Sequence, residues 1–237
     1  VEHTFSIKEV LTFGWKQFKT HNGLLLQALL TTIAVGVVSS FINSAMGGSP
    51  LGVLLNIVFA VVSLFVGTGF TLITLKIARG EPAVYRDIIP AYVLVWRYFL
   101  ANLLVSLVIG GLTIVAILIG IIVFTLLSLV HMAAIAMLIA GLLVIAGVVA
   151  LIYIAIRYSF ILFAVLDGAK VMESIHRSAI LTKGIKWKLA GFGLVVGLLN
   201  ILGALCLLVG LLISAPVTGM ALAKVYLILK ARVEGKA

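Results

Sequence analysis

"RYSFILFAVLDGAKVMESIHRSAILTKGIKWKL", residues 157–189, decides how this chain folds. It gathers Arg157, Asp167, Lys170, Glu173, Arg177, Lys183, Lys186 and Lys188, whereas residues 98–156 before it carry no formal charge. A single helix over that uncharged run would be about 90 Å long, roughly three times the hydrocarbon thickness of a bilayer. The run must turn back on itself. "LLSLVHMA", around Ser128–His131, is the best place for the turn. The charged stretch then returns to the membrane face from which the run departed.

Outward from this stretch, the composition agrees. The chain has 237 residues, of which 64% are hydrophobic and 10% charged. A soluble domain is usually about 45–50% apolar and about 25% charged. The expected class is therefore an all-α polytopic membrane bundle of six transmembrane helices, forming a single integral membrane domain over 1–237. Spans are predicted at 23–43 and 51–76, two between Arg97 and Arg157, then 189–214 and 217–229, with Pro216 breaking the last pair. No cleavable signal peptide is visible, so the first span is expected to direct insertion itself.

The distribution of charge matters more than its +10 sum, which in a soluble chain would suggest nucleic acid. The predicted connections at 44–50, 128–131 and 214–216 hold no Lys or Arg. All 17 basic residues fall on the other side, or at helix ends facing it. Basic loops stay cytoplasmic. The expected place is the cell's inner (cytoplasmic) membrane, multi-pass, with both termini cytoplasmic. The expected partners are membrane lipids, above all anionic headgroups, with a protein partner or a homo-oligomer possible in addition and no nucleic acid.

The charged stretch has internal order. Val171, Met172, Ile175 and Ala179 share one helical face, and Lys170, Glu173 and Arg177 the opposite one, as in an interfacial amphipathic helix. The N-terminus repeats the idea over 6–20, with Ser6 and Glu9 spaced as a capping box and Phe5 and Val10 as a hydrophobic staple. "YRDIIPAYVLVWRYF" is a third version, weakened by Pro90. Each version ends in a Trp beside a base: Trp15-Lys16, Trp96-Arg97 and Trp187-Lys188. With Lys183 and Lys186, these are the candidate lipid and interface residues. The even-numbered spans also finish alike, at Glu81-Pro82, Asp167-Gly168 and Glu234-Gly235. Three repeat units follow, over 5–81, 84–167 and 169–235, each an interfacial helix plus a transmembrane hairpin. Reuse of Trp and Lys at interfaces by any hairpin protein is the plainer alternative.

"RYSFILFAVLDG", followed by "ESIHRSAILTKGIKWKL", Gly-rich apolar residues, a Pro and "VYLIL", resembles a six-span bacterial and archaeal family. That family includes the uncharacterised YciC-type inner-membrane proteins and the membrane modules beside some glycerophosphodiester phosphodiesterases. The matching positions are Arg157, Tyr158, Asp167, Gly168, Ser178, Gly184, Trp187 and Pro216, and the family's Ala-Leu stands here as Ser174-Ile175. The resemblance covers mainly residues 155–230. It implies a six-helix membrane domain and no catalytic residue, since the phosphodiesterase chemistry belongs to a separate soluble domain.

Motifs for chemistry are sparse. His3, His21, His131 and His176 are scattered, and no H-E-x-x-H or C-x-x-C spacing occurs. No cofactor, metal or enzymatic activity is expected. "VGTGF" reads as close helix packing. Gly193 and Gly197 form a G-x-x-x-G, read first as packing within the chain. Arg157 and Asn200 are the candidate intramembrane polar residues. Intramembrane charges often mark sites, yet a long basic side chain near a helix end can instead snorkel or meet an acid. Asp167, Glu173, Glu81 and Glu9 are the expected acid partners of Arg157. The leading functional reading is a non-catalytic scaffold or partner- and lipid-interacting domain. The alternative is a small transporter or lipid-handling protein, with Arg157 and Asn200 lining a path for an anionic substrate.

Overall fold

A computed structural model describes residues 5–129, 133–206 and 209–235. The helices are α1 (Ile7–Met46), α2 (Pro50–Arg79), α3 (Tyr92–Leu129), α4 (Ala133–Tyr158), α5 (Ile161–Leu166), α6 (Val171–Leu181), α7 (Lys186–Leu205) and α8 (Leu211–Val233), with a 3-10 turn at Tyr85–Ile88. The described residues form no strand, and six helical stretches among them are long and apolar enough to cross a membrane. The protein is an all-α, multi-pass membrane bundle, as the composition requires.

Local chemistry sets the ends. The first hairpin turns at Gly47, Gly48 and Ser49. The Ser49 hydroxyl accepts from the Gly52 amide at 3.0 Å, and Pro50 opens α2, where its missing N–H leaves nothing unpaired. Of the turn predicted around Ser128–His131, Ser128 and Leu129 belong to α3, and residues 130–131 lie outside the described residues. The expected segments 6–20 and 23–43 are one helix, α1, kinked at His21 (φ −120°, ψ 27°). The Asn22 carboxamide accepts from the Gly23 amide at 2.7 Å beside that kink and restarts the helix.

Several expectations are corrected. Ser6 stands at the N-cap of α1 but its side chain makes no capping bond. The staple residues Phe5 and Val10 are both buried in one cluster, so apolar burial rather than a capping box anchors the entry. The third amphipathic version shrinks to the 3-10 turn, because Pro90 has no N–H to continue a helix. α7 ends at Leu205 and α8 begins at Leu211, so the last connection precedes the expected 214–216, and Pro216 lies inside α8. Close to the start of α8, Pro216 forfeits only the bond to the Leu212 carbonyl. Gly203 and Gly210 set the turn instead: a Cβ on Gly210 would stand 2.6 Å from Gly203 Cα.

The buried core gathers at the charged end. One cluster joins Phe5 and Val10 of the entry to Phe160, Phe163, Leu189, Phe192, Tyr226 and Leu229. A second joins Phe18, Leu25, Ile73, Val217 and Met220. Two glycines let backbones touch there. A Cβ on Gly14 would collide with the Val217 carbonyl, and one on Gly69 with the Ile88 carbonyl. Close packing of "VGTGF" is thus carried by Gly69, whereas Gly67 faces open space. Gly193 and Gly197 also face open space, so the G-x-x-x-G makes no close contact within the chain.

Candidate functional site

Three connections meet at the charged end: the C-terminus of α2, the residues after α5 and the last turns of α8. Their centre is Asp167, whose side chain is 4% exposed. The Arg79 guanidinium meets one carboxylate oxygen. The Lys230 ammonium donates to the other at 2.6 Å, and the Tyr226 hydroxyl donates to the same atom. Arg79 also faces Glu81 at 3.8 Å, and Lys230 faces Glu234 at 4.0 Å. The acids that end the three hairpins therefore form one alternating chain: Glu81, Arg79, Asp167, Lys230, Glu234. A buried carboxylate is tolerable only with such pairing and hydrogen bonding. Tyr226 also stacks on Phe163 at 5.2 Å, which ties this clasp to the apolar core.

α6 lies across the break between α4 and α5. The helix stops at Tyr158, and the Ser178 hydroxyl fills the gap. It donates to the Arg157 carbonyl at 2.9 Å and accepts from the Phe160 amide at 3.2 Å. A freed carbonyl and a freed amide are both satisfied by one buried side chain. The expected face of α6 holds at Val171 and Ile175, which pack against the core, and is corrected at Met172. Ser174, Ser178 and Leu181 are its buried residues, while Met172 is 70% exposed. Two serines read as polar in a hydrophobic pattern, yet here the polar atoms are what the core needs. On the exposed side, Glu173 accepts from the Lys170 amide and pairs with Arg177 at 2.7 Å. Both hold its carboxyl below the usual range, the Lys170 amide most.

Among the described residues, Arg157 has no acid partner. Asp167 is taken by Arg79 and Lys230, Glu173 by Arg177, and Glu81 faces Arg79; Glu9 makes no ion pair. The Arg157 Nε is buried without a hydrogen-bond partner. Its guanidinium lies 5.8 Å from the Tyr158 ring, and the Tyr153 hydroxyl belongs to the residue one turn back on the same face of α4. That hydroxyl accepts a hydrogen bond from Lys186, the first residue of α7, whose ammonium is also 3.8 Å from the Tyr153 ring centre. Lys186 thus meets a phenol one turn from Arg157, and among the described residues no carboxylate is in ion-pair reach of either cation.

The other candidate residues lie around the same end. Trp15, Trp96 and Trp187 are all exposed, Trp187 at 93%. Lys19 sits over the Trp15 ring at 5.1 Å, Lys188 over Phe5 at 5.4 Å, and Lys16 and Lys183 are exposed. Arg97 donates to the Gly168 carbonyl at 3.4 Å. Among the described residues, no cluster of three or more His, Cys, Asp or Glu is placed to hold a metal.

Asn200 is not joined to Arg157. Its amide donates to the Val196 carbonyl at 3.0 Å and to the Thr218 hydroxyl at 3.3 Å, and its oxygen accepts from Ser214 at 2.9 Å. This small network ties α7 to α8. It borders a groove of about 550 Å³ that runs between the end of α4 and the α7–α8 pair, lined by Ile156, Phe160, Leu189, Gly193, Val196 and Asn200 among others. The wall is almost wholly apolar. Such a groove suits a hydrocarbon chain, not a hydrated ion.

Comparison with protein-family models, with curated proteins and with solved structures gives no match.

Proposed function

We propose that the protein is a non-catalytic membrane component that engages anionic lipid on one face, acting as a scaffold or a partner- and lipid-interacting domain. The carrying observation is the division of charge at that face. Asp167 and its neighbours consume Arg79 and Lys230 in a buried clasp, while among the described residues Lys16, Lys183, Lys186, Lys188, Arg97 and Arg157 have no carboxylate in ion-pair reach. An unneutralised basic face beside exposed tryptophans fits a phospholipid surface. In this reading the face is cytoplasmic, both termini lie there, and the membrane is the inner one. α6 and the first segment of α1 then lie along the interface. The threefold unit reading is supported by the meeting of Glu81, Asp167 and Glu234 in one cluster. The resemblance over residues 155–230 is in keeping with a membrane domain that performs no chemistry of its own.

The exposed tryptophans provide the test. In vesicles, brominated phosphatidylglycerol should quench Trp fluorescence more than brominated phosphatidylcholine at equal mole fraction. Lys16→Gln, Lys19→Gln, Lys183→Gln and Lys188→Gln together should erase most of that difference. Each base near the surface contributes about 1 kcal/mol. Equal quenching by the two lipids in the unsubstituted protein would remove the reading. Orientation is checked by labelling single cysteines at Ser49 and Lys183 in a Cys206→Ser background, where the two should react from opposite sides.

The lipid-handling alternative draws on the groove beside Asn200. Its near-absence of polar lining speaks against passage of a hydrated anion and for contact with a chain.

A further inference from the structure

We infer that the crevice between α4 and α7 is a site for one anionic phospholipid, its phosphate held by Arg157 and Lys186 beside the Tyr153 hydroxyl and one acyl chain laid in the groove toward Asn200. The inference rests on the anionic-lipid reading above and narrows it to a place. The geometry carries it in three steps. First, the charges are incomplete. Lys186 donates to the Tyr153 hydroxyl, Arg157 stands one turn further along the same face of α4, among the described residues every acid near them is committed elsewhere or out of reach, and a buried Arg157 Nε has no acceptor. A guanidinium and an ammonium flanking a phenol are the donor set that a phosphate diester accepts.

Second, the depth is right. Lys186 opens α7, and Arg157 lies within the apolar stretch Met137–Leu166 toward its charged end, from which a long basic side chain can reach headgroup depth. Third, the groove begins beside the charges. Ile156 lies three residues after Tyr153, and Leu189 three after Lys186; both line it. The wall continues past Gly193, whose missing side chain leaves open space, to the Asn200 network. A free phosphate would meet the cations and leave the apolar wall to solvent or unrelated lipid. A phospholipid meets both.

The probe is phosphatidylglycerol added to the detergent-purified full chain, with bound lipid counted by native mass spectrometry. One phosphatidylglycerol should remain at activation energies that strip phosphatidylcholine. Arg157→Gln with Lys186→Gln should weaken its retention by about thirtyfold, since each base near the surface contributes a factor of about five. Gly193→Leu should weaken it as well with both charges intact. That variant should fold, because a Cβ there meets nothing. Lys16→Gln with Lys19→Gln should leave this single bound lipid unchanged. The site is overturned if the double charge variant and Gly193→Leu both retain the lipid as the unsubstituted chain does. It is also overturned if equimolar inorganic phosphate or glycerol phosphate displaces the lipid, because the groove would then contribute nothing. In either case the vesicle quenching difference can persist, which separates failure of this site from failure of the broader surface reading.

Discussion

The charged end of the bundle and the far halves of its hairpins are built by opposite rules. At the charged end, α2, α5 and α8 converge on one buried carboxylate, and glycines let α1 meet α8, and α2 the 3-10 turn, at backbone distance. In the far half of the α3–α4 hairpin, side chain after side chain is exposed, and the most apolar eighteen residues of each helix contain no buried residue. Water would not tolerate that surface, but lipid tails are as apolar as the side chains themselves. The difference teaches where specificity is needed. Polar and close contacts fix how the hairpins join, and hydrocarbon solvates the remainder.

If that division holds, substitutions at the clasp should have the largest effects. Asp167→Asn leaves Arg79 and Lys230 facing each other without their shared anion. Breaking a buried pair in this way costs about 3–5 kcal/mol. Thermal unfolding in detergent should show a large drop in melting temperature, partly recovered when Lys230→Met is added. A melting temperature unchanged by Asp167→Asn would show that the joint is held by apolar packing alone.

Overpacking at the backbone contacts ranks next. Gly69→Ala drives a methyl into the Ile88 carbonyl and should cost about 1–3 kcal/mol. Gly197→Ala, on an open helix face, should be neutral or slightly stabilising by helix propensity. The same assay compares them, and equal losses for both would erase the distinction between closed and open glycines.

The far halves should respond weakly. Asn200→Ala removes the one polar network tying α7 to α8 and should cost about 0.6–1.7 kcal/mol, the scale measured for polar contacts between membrane helices. Leu107→Ala in α3, where Leu107 is 63% exposed, should stay within about 0.5 kcal/mol. Steric-trap unfolding in bicelles can resolve the two. A Leu107 loss as large as that at Asn200 would mean the α3–α4 hairpin is covered by something other than lipid.

Much of this division is written in the sequence. A charge-free run too long for one span forces a hairpin, and "GGSP" announces the first turn through cap and proline chemistry. The last turn was misplaced because Pro216 is the louder signal, whereas the contact that decides it is between Gly203 and Gly210, seven residues apart. Periodicity places Val171 and Ile175 of α6 against the core but passes over the buried Ser174 and Ser178, because the Ser178 hydroxyl serves a backbone break in another helix. The alike endings at Glu81, Asp167 and Glu234 were visible as a pattern. Their convergence on Arg79 and Lys230 was not, because the arrangement of the hairpins around one another leaves no local signal. The acid expected beside Arg157 is absent among the described residues for a related reason: Asp167 is taken by Arg79 and Lys230, distant in the chain, and Glu173 by its helix neighbour Arg177.

The smallest expected effect concerns the exposed side of α6, where charge is neither buried nor shared between elements. Glu173 accepts from the Lys170 amide and pairs with Arg177, and these contacts lower its carboxyl below the ordinary 4.5. A carboxyl lowered by folding stabilises the folded state above its unfolded value. That contribution fades as pH falls through the lowered folded value. The window therefore lies on the acid side of 4.5. Because the group is fully exposed, solvent screens the pair and the effect is slight. The melting-temperature difference between the unsubstituted chain and Glu173→Gln should be small and positive near neutral pH, shrink toward zero in that window, and fall with added salt. A difference that grew on acidification would reverse the sign of the linkage. One as large as that of Asp167→Asn would place α6 among the buried joints, and the contrast between the two kinds of charge at this end of the molecule would be lost.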